Sequence, residues 1–302
     1  MKNHILYIIL LLVGYSPLLA QEISKQDSIY LQDLDEVFVK SVRVDSKAPI
    51  THSNVGKDDI RKRNLGQDIP ILLNYLPSVV SSSDAGAGVG YTYLRVRGSD
   101  ATRINVTING IPYNDPESQG TFWVNLGDFA SSTENLQLQR GVGTSTNGAG
   151  AFGASVNLVT NKLRQKAYGS TSNTVGSYGT LKNNVEFGTG LINNKFTIDG
   201  RLSRIESEGY IDRASSNLKS FYLSGGYYGD DEFLKLSVFS GKEITFQAWN
   251  GVPLSYLEND SLRTFNIYDY ENEVDNYGQT HYHLNYTKSC LLYTSPSPRD
   301  RG

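Results

Sequence analysis

The sequence predicts a small α+β domain followed by antiparallel strands of the kind that build a transmembrane β-barrel. Three observations predict it. Apolar spacing is helical just before Pro77 and turns to alternation after it. Leu94 to Thr160 is glycine-rich, punctuated by Arg-Gly, Asn-Gly and Gly-Ala pairs, and carries no enzyme-like constellation. From Tyr168 onward, strands of roughly ten residues show one polar and one apolar face.

Bulk properties agree. The 302 residues suffice for two domains of ordinary size. A net charge of -3 supplies no basic field for nucleic acid. With 20 Tyr and 29 Gly and few aliphatic runs, the composition favours strands and turns over helices. The single Cys290 excludes a disulfide framework. At the N-terminus, Lys2, the apolar run Ile5 to Val13 and Leu18-Leu19-Ala20 form a secretory signal peptide over 1–20. The run is too short to span a bilayer. Export is therefore expected.

Residues 21–48 read as a flexible leader. Within it, Leu34, Asp35, Glu36, Val37, Phe38 and Val39 form an extended segment with no partner strand nearby. It is either the first strand of the next domain or a strand offered to another protein's sheet edge. The α+β domain is placed at 49–160. Asp58 to Asn64 predicts a helix, acidic in its first turn and basic in its last. A second helix is predicted from Gln67 to Tyr75, with Ile69, Leu72, Leu73 and Leu76 on one stripe. Pro70 fits only its first turn and Pro77 ends it. Strands follow around Leu94 and Val96, Ile104 to Ile108, Leu136 and Leu138, and Val156 and Leu158. Asn109-Gly110 predicts a type I′ hairpin turn. Together these give a small mixed sheet.

The barrel region is placed at 161–289, with strands at 168–176, 180–190, 195–206, 217–228, 232–244 and 279–288. Connections after the first alternate between short and long, as in outer-membrane barrels. Strand-end aromatics (Tyr178, Tyr210, Phe221, Tyr222, Tyr227, Tyr228 and Phe246) suit interfacial girdles, with ordinary β-propensity as the plain alternative. About six strands cannot close a barrel, and one holding a domain in its lumen needs roughly 22. The region is therefore expected to be an incomplete, N-terminal part of a barrel, with the preceding domain as its plug. Residues 290–302 break the alternation and read as a non-native tail.

Few motifs carry chemistry. Gly148 to Gly153 matches G-x-G-x-x-G but lacks the strand before it and the helix after it that dinucleotide binding needs. His281 and His283 share one strand face and are expected as a solvated lumen pair rather than a metal site. No catalytic triad, P-loop or cofactor motif is present, so no enzyme is expected. The loop from Thr245 to Gly278 holds Trp249, Tyr256, Tyr268 and Tyr270 among several acids. It is a candidate ligand contact or a plain solvated loop.

In order and spacing, these segments resemble the TonB-dependent outer-membrane receptors. Leu34 to Val39 is similar to the family's TonB box. Leu94-Arg95-Val96-Arg97-Gly98 resembles its Ile-Arg-Gly strand. Val106 to Pro112, with Asn109 and Gly110, resembles its Asp-Gly-Val-Pro hairpin. Glu134 to Gly141, with Arg140 and Gly141, is similar to Glu-Arg-Ile-Glu-Val-Leu-Arg-Gly. Gly150 to Thr160, with Gly150 and Gly153, resembles the return strand into the barrel. Asn109 and Gln139 depart from the pattern without damaging it. The resemblance implies energy-coupled uptake of a scarce ligand across the bacterial outer membrane. The implied partners are TonB with its ExbB/ExbD complex, the outer-membrane bilayer and, as the family's commonest ligand, an iron–siderophore complex. Cobalamin and glycans are rivals, and a secreted β-sandwich adhesin or carbohydrate-binding protein is the reading from another class. The family pairs plug arginines at the positions of Arg97 and Arg140 with glutamates in later barrel strands. Both arginines are therefore expected to be under-satisfied here.

Overall fold

The computed structural model describes residues 43, 44, 48–143, 147, 150–160 and 162–288. The signal peptide, the Leu34–Val39 segment and the tail at 290–302 lie outside them.

The α+β domain opens with β1 (His52–Gly56) and α1 (Lys57–Arg63). Then come α2 (Ile69–Leu72), β2 (Val79–Ser83), β3 (Thr92–Val96), β4 (Ile104–Ile108), β5 (Ile111–Pro112), β6 (Thr133–Arg140) and β7 (Ala154–Thr160). Five strands make one mixed sheet in the order β1-β6-β7-β4-β5, in which only β4 and β7 run parallel. β2 and β3 stand apart as a two-stranded hairpin. All seven residues of β7 are buried, as expected of a central strand covered on both faces. The core packs Leu94, Val96, Val106, Ile108, Leu138, Val156 and Leu158 with Trp123 and Phe129.

Two local differences from the sequence reading have physical causes. The sequence reading places no strand between Val39 and Asp58, and β1 has Val55 as its single buried residue. It is a strand because β6 offers it an edge, with Ser53 opposite Leu138 and Val55 opposite Leu136. α2 is far shorter than the predicted helix. Beyond Leu72 the amides of Asn74 and Leu76 bond to carbonyls three residues back, so the chain tightens and leaves the α-helix. The apolar stripe survives, with Ile69, Leu72, Leu73 and Leu76 all buried.

The second region is a six-stranded antiparallel meander: β8 (Tyr168–Val175), β9 (Leu181–Gly188), β10 (Phe196–Ser207), β11 (Ser216–Tyr228), β12 (Glu232–Phe246) and β13 (Val274–Lys288). Its polarity is inverted relative to a water-soluble sheet. On β12, Lys235, Ser237 and Glu243 are buried against the α+β domain, while Leu234, Leu236 and Ile244 are exposed. Val185, Phe187, Ile198, Leu202, Leu223, Tyr282 and Leu284 continue the exposed apolar face. A β-sandwich would bury the apolar face instead, so the sandwich reading does not fit. No described helix is long and apolar enough to cross a membrane, and an exposed apolar face with a polar inner face is the pattern of strands in a membrane barrel.

The last connection is shorter than predicted, 247–273, because the β12–β13 ladder extends to the Phe246–Val274 pair. Tyr222 is also not a girdle residue. It faces inward, only 1% exposed, packed against Phe129 and Phe239. Tyr178 and Tyr210 do pair edge-on at one sheet end, 5.6 Å apart.

Candidate functional site

The plug-like domain is held to the sheet by one buried carboxylate. Asp128 sits in a left-handed conformation (φ 51°) between two short 3-10 turns, Trp123–Leu126 and Phe129–Ser132. Its carboxylate accepts from Lys182 Nζ (2.6 Å), Asn184 Nδ2 (2.7 Å) and Ser203 Oγ (2.7 Å) on β9 and β10. From its own domain it accepts from Asn64 Nδ2 (3.0 Å) and Ser131 Oγ (2.7 Å). Arg201 lies 3.5 Å from it and donates to the Asp128 carbonyl at 2.6 Å. Burial alone would raise the Asp128 pKa, but the charges of Lys182 and Arg201 outweigh it and hold the carboxyl well below the usual range. Nothing in the sequence singled out Asp128. Lys182, Asn184, Arg201 and Ser203 were legible only as polar positions on alternating strands.

A second tie uses the predicted hairpin. Asn109 (φ 51°) and Gly110 (φ 80°) make the turn between β4 and β5. The Asn109 side chain donates to Thr160 Oγ1 (2.9 Å) and accepts from the Thr160 amide (2.9 Å). Thr160 Oγ1 in turn accepts from Tyr222 of β11 at 2.8 Å. The turn residue thus fixes the last residue of β7, which the barrel wall grips from the other side.

The remaining motif residues lie nearby without converging on one site. Arg97 is exposed with φ 51°, beside Gly98 in the turn that ends β3. Arg140 is better satisfied than expected, because Nε donates to the Pro77 carbonyl (2.9 Å) and a terminal nitrogen to Ser53 Oγ (2.7 Å). Neither arginine has a carboxylate partner among the described residues. Gly141 follows β6 and donates its amide to the Gly153 carbonyl (2.9 Å). Gly150 lies in the turn before β7. A Cβ on Gly153 would lie 2.7 Å from the Arg103 carbonyl.

At the sheet end bearing the 208–215 and 247–273 connections, the β2–β3 loop meets the long loop. Tyr91 packs edge-on against Trp249 at 5.7 Å, and Trp249 against Tyr268 at 6.2 Å. Tyr256 packs instead on Phe265, and Tyr270 is 63% exposed, so the four aromatics do not form one cluster. Burial raises the Asp84 carboxyl to about 6, against the Tyr93 hydroxyl that donates to it. Below this contact, a cavity of about 550 Å³ opens between the 112–122 loop and the inner face of β12 and β13. Its walls include Tyr91, Tyr113, Asp115, Glu243, Asp275 and Gln279. The volume is that of a small-ligand pocket. Tyr91 donates to Asp275 Oδ2 at 2.9 Å, and Gln279 Nε2 bonds the Tyr113 hydroxyl. His281 and His283 are not a solvated pair, because both pack on Phe239, at 4.9 and 5.0 Å. No group of three His, Cys, Asp or Glu among the described residues could hold a metal ion.

Residues 44–155 match the TonB-dependent receptor plug domain family. Among curated proteins none matches this sequence. Among solved structures, FpvA of P. aeruginosa in a pyoverdine–iron complex is similar at 15% identity and TM-score 0.65, over 81% of this chain and 32% of that one. The ferric yersiniabactin uptake receptor FyuA of Yersinia pestis is similar at 11% identity and TM-score 0.65, over 83% and 41%. The copper transporter OprC is similar at 15% identity and TM-score 0.56, over 67% and 32%. The chain thus spans roughly a third of the length of the solved structures it matches. At these identities the likeness concerns the fold. Residues 44–155 thus match a TonB-dependent receptor plug domain, and the six antiparallel strands that follow share the fold of the solved structures above.

Proposed function

We propose that this chain belongs to an outer-membrane receptor that takes up a ferric chelate with energy supplied through TonB. The observation that carries this reading is the position of the plug. Its Tyr91 apex meets the aromatic loop at one end, beside a cavity of ligand size. Its seat in the sheet is tied by hydrogen bonds at Asp128 and Thr160 that water can replace, beside the contact of Phe129 with Tyr222 and Phe239. Leu34–Val39 would pair as an added strand with TonB, which draws on ExbB/ExbD. Arg97, Gly98, Asn109, Gly110, Arg140, Gly141, Gly150 and Gly153 would shape the plug, and Trp249, Tyr256, Tyr268 and Tyr270 the outer ligand face. FpvA with its pyoverdine–iron ligand and FyuA as a ferric yersiniabactin uptake receptor favour a ferric ligand over the copper of OprC.

The test is uptake of radiolabelled iron by a gene-deletion strain of the host, supplied as hydroxamate and catecholate chelates, with cobalamin in parallel. Uptake of at least one ferric chelate should fall to background and return with the gene. It should not return with Val37→Pro, which removes a backbone donor needed for strand pairing. Unimpaired uptake of every chelate would reject the reading.

A further inference from the structure

The outward face of the barrel strands carries a row of cations where its apolar band ends. Lys219 on β11 stands directly opposite both Arg204 on β10 and Lys242 on β12, and all three are exposed. Neighbouring strands lie about 4.8 Å apart, so the three span about 10 Å. Asn183 and Gly278 continue the row on β9 and β13, so from β9 to β13 it contains no acid. One row toward the loops, Glu206 pairs with Arg204 but also accepts from Asn217 Nδ2 at 2.8 Å. Among the described residues Lys219 and Lys242 have no ion-pair partner. Like charges directly opposite one another destabilise a sheet. On the inner face, Lys182 and Arg201 are reconciled by sharing Asp128. The outward row has no such anion of its own.

On the other side of the row the surface is apolar. Leu202 lies opposite both Val185 and Phe221, and apolar side chains continue on this face to the Phe196–Tyr227 pair. From Leu202 to Phe196 is about 20 Å along β10 at roughly 3.4 Å per residue. That approaches the height of the apolar band on a membrane barrel, about 25 Å. The cations stand in the first row beyond it, at the sheet end bearing the 208–215 and 247–273 connections. A hollow of about 490 Å³ runs over this boundary, lined by the three cations with Val185, Leu202 and Phe221. Phosphate oxygens accept charge-assisted bonds from several such side chains at once. A free anion would use the row alone, whereas an amphiphile uses both halves of the hollow. We propose that this boundary binds a lipid with a phosphorylated headgroup. Arg204, Lys219 and Lys242 hold the headgroup, and its acyl chains lie along Val185, Leu202 and Phe221. The proposal rests on the outer-membrane reading of this face and is independent of which ligand is imported.

The probes are dioleoyl phosphatidic acid, dioleoyl phosphatidylcholine and inorganic phosphate. Binding is read by native mass spectrometry of the full receptor extracted in an uncharged detergent. The first phosphatidic acid should bind at least about tenfold more tightly than phosphatidylcholine, as for several cations facing one anionic headgroup. Lys219→Gln combined with Lys242→Gln should bring phosphatidic acid down to the phosphatidylcholine level. Phosphatidylcholine binding and the β-sheet circular dichroism should not change, which reports a folded variant. Lys219→Arg combined with Lys242→Arg keeps the charges and should keep the preference, which covers the case in which the glutamine variant does not assemble. Lys288→Gln, exposed on β13 at the other end of the sheet, should leave the preference intact. Inorganic phosphate in large excess should not displace the lipid; displacement would make this a plain anion site and overturn the proposal. Equal binding of the two lipids, or an equal loss with Lys288→Gln, overturns it and leaves ferric import standing. If neither lipid binds, the lipid-facing reading falls and the proposal with it. Unimpaired uptake of every ferric chelate, with the lipid preference present, rejects ferric import and leaves this site standing.

Discussion

Two buried aspartates behave oppositely, and both behaviours follow from their neighbours. Asp128 is surrounded by donors and two cations, so its folded-state pKa is depressed. Its contribution is present at any pH above the ordinary carboxyl value near 4 and is lost as acid protonates it below that. Asp68 is buried with Thr92 Oγ1 as its side-chain donor at 3.0 Å, and burial pushes it up to about 8. The folded state therefore holds a proton that the unfolded chain releases near pH 4. Stability from Asp68 is full below that pH, falls as pH rises, and is gone above about 8. Thermal melts of the extracted receptor at pH 5, 7 and 9 should show this decline, and Asp68→Asn should flatten it; an unchanged slope would assign it to another group. Replacing Asp128 is a different kind of change. Asp128→Ala leaves Lys182 and Arg201, 1% and 2% exposed, without their anion. Breaking a buried pair in this way costs about 3–5 kcal/mol. The cost should appear as faster hydrogen exchange across residues 121–133, with the outer strands little affected. The sequence could not show Asp128, because its partners on β9 and β10 lie more than fifty residues away and an isolated Gly-Asp pair looks like any turn. Asn109 was legible because its requirement, positive φ beside a glycine, is local.

Elements were legible wherever one face met one environment. The barrel strands have a clean polar and apolar alternation, and the pairs Phe196–Tyr227 through Ser207–Ser216 of β10 and β11 follow it without a slip. β1 and α2 were misjudged for the opposite reason, since each is defined by what it packs on. β1 needs the edge of β6, and α2 stops where the chain tightens. Contact between the two regions is set at this scale too. Gly241 on β12 faces the backbone of Asn125, and a Cβ there would clash with the Asn125 carbonyl. Gly241→Ala should therefore lift the Trp123–Leu126 turn from the wall while leaving strand pairing intact. Limited proteolysis should then cut the plug faster, with the β-sheet circular dichroism unchanged. Equal cleavage of variant and parent would mean that the turn yields without releasing the plug.

At the scale of the whole molecule, the inner face of the strands and the flank of the plug form one interface, and the import proposed above requires that interface to give way. Its polar ties are Asp128 to β9 and β10, Thr160 to β11 and Tyr91 to β13, and beside them Phe129 packs on Tyr222 and Phe239. The hydrogen-bonded ties lose little when water replaces them, so the apolar contacts of Phe129, Val89 and Val124 with the strands set most of the resistance. A covalent tie would not give way. A Cβ on Gly127 would stand 3.4 Å from the Cβ of Leu218 on β11, close to the separation found across disulfides, about 3.5–4.5 Å. Gly127→Cys with Leu218→Cys should close under oxidising conditions and pin the plug next to Asp128. If the plug must shift for passage, uptake of ferric chelate should stop in the oxidised cells and recover after reduction, while ligand binding at the cell surface persists in both. Each single-cysteine variant should transport in either condition. Full uptake by the oxidised double variant, with the crosslink verified by mass spectrometry, would mean that passage does not require this part of the plug to leave the wall.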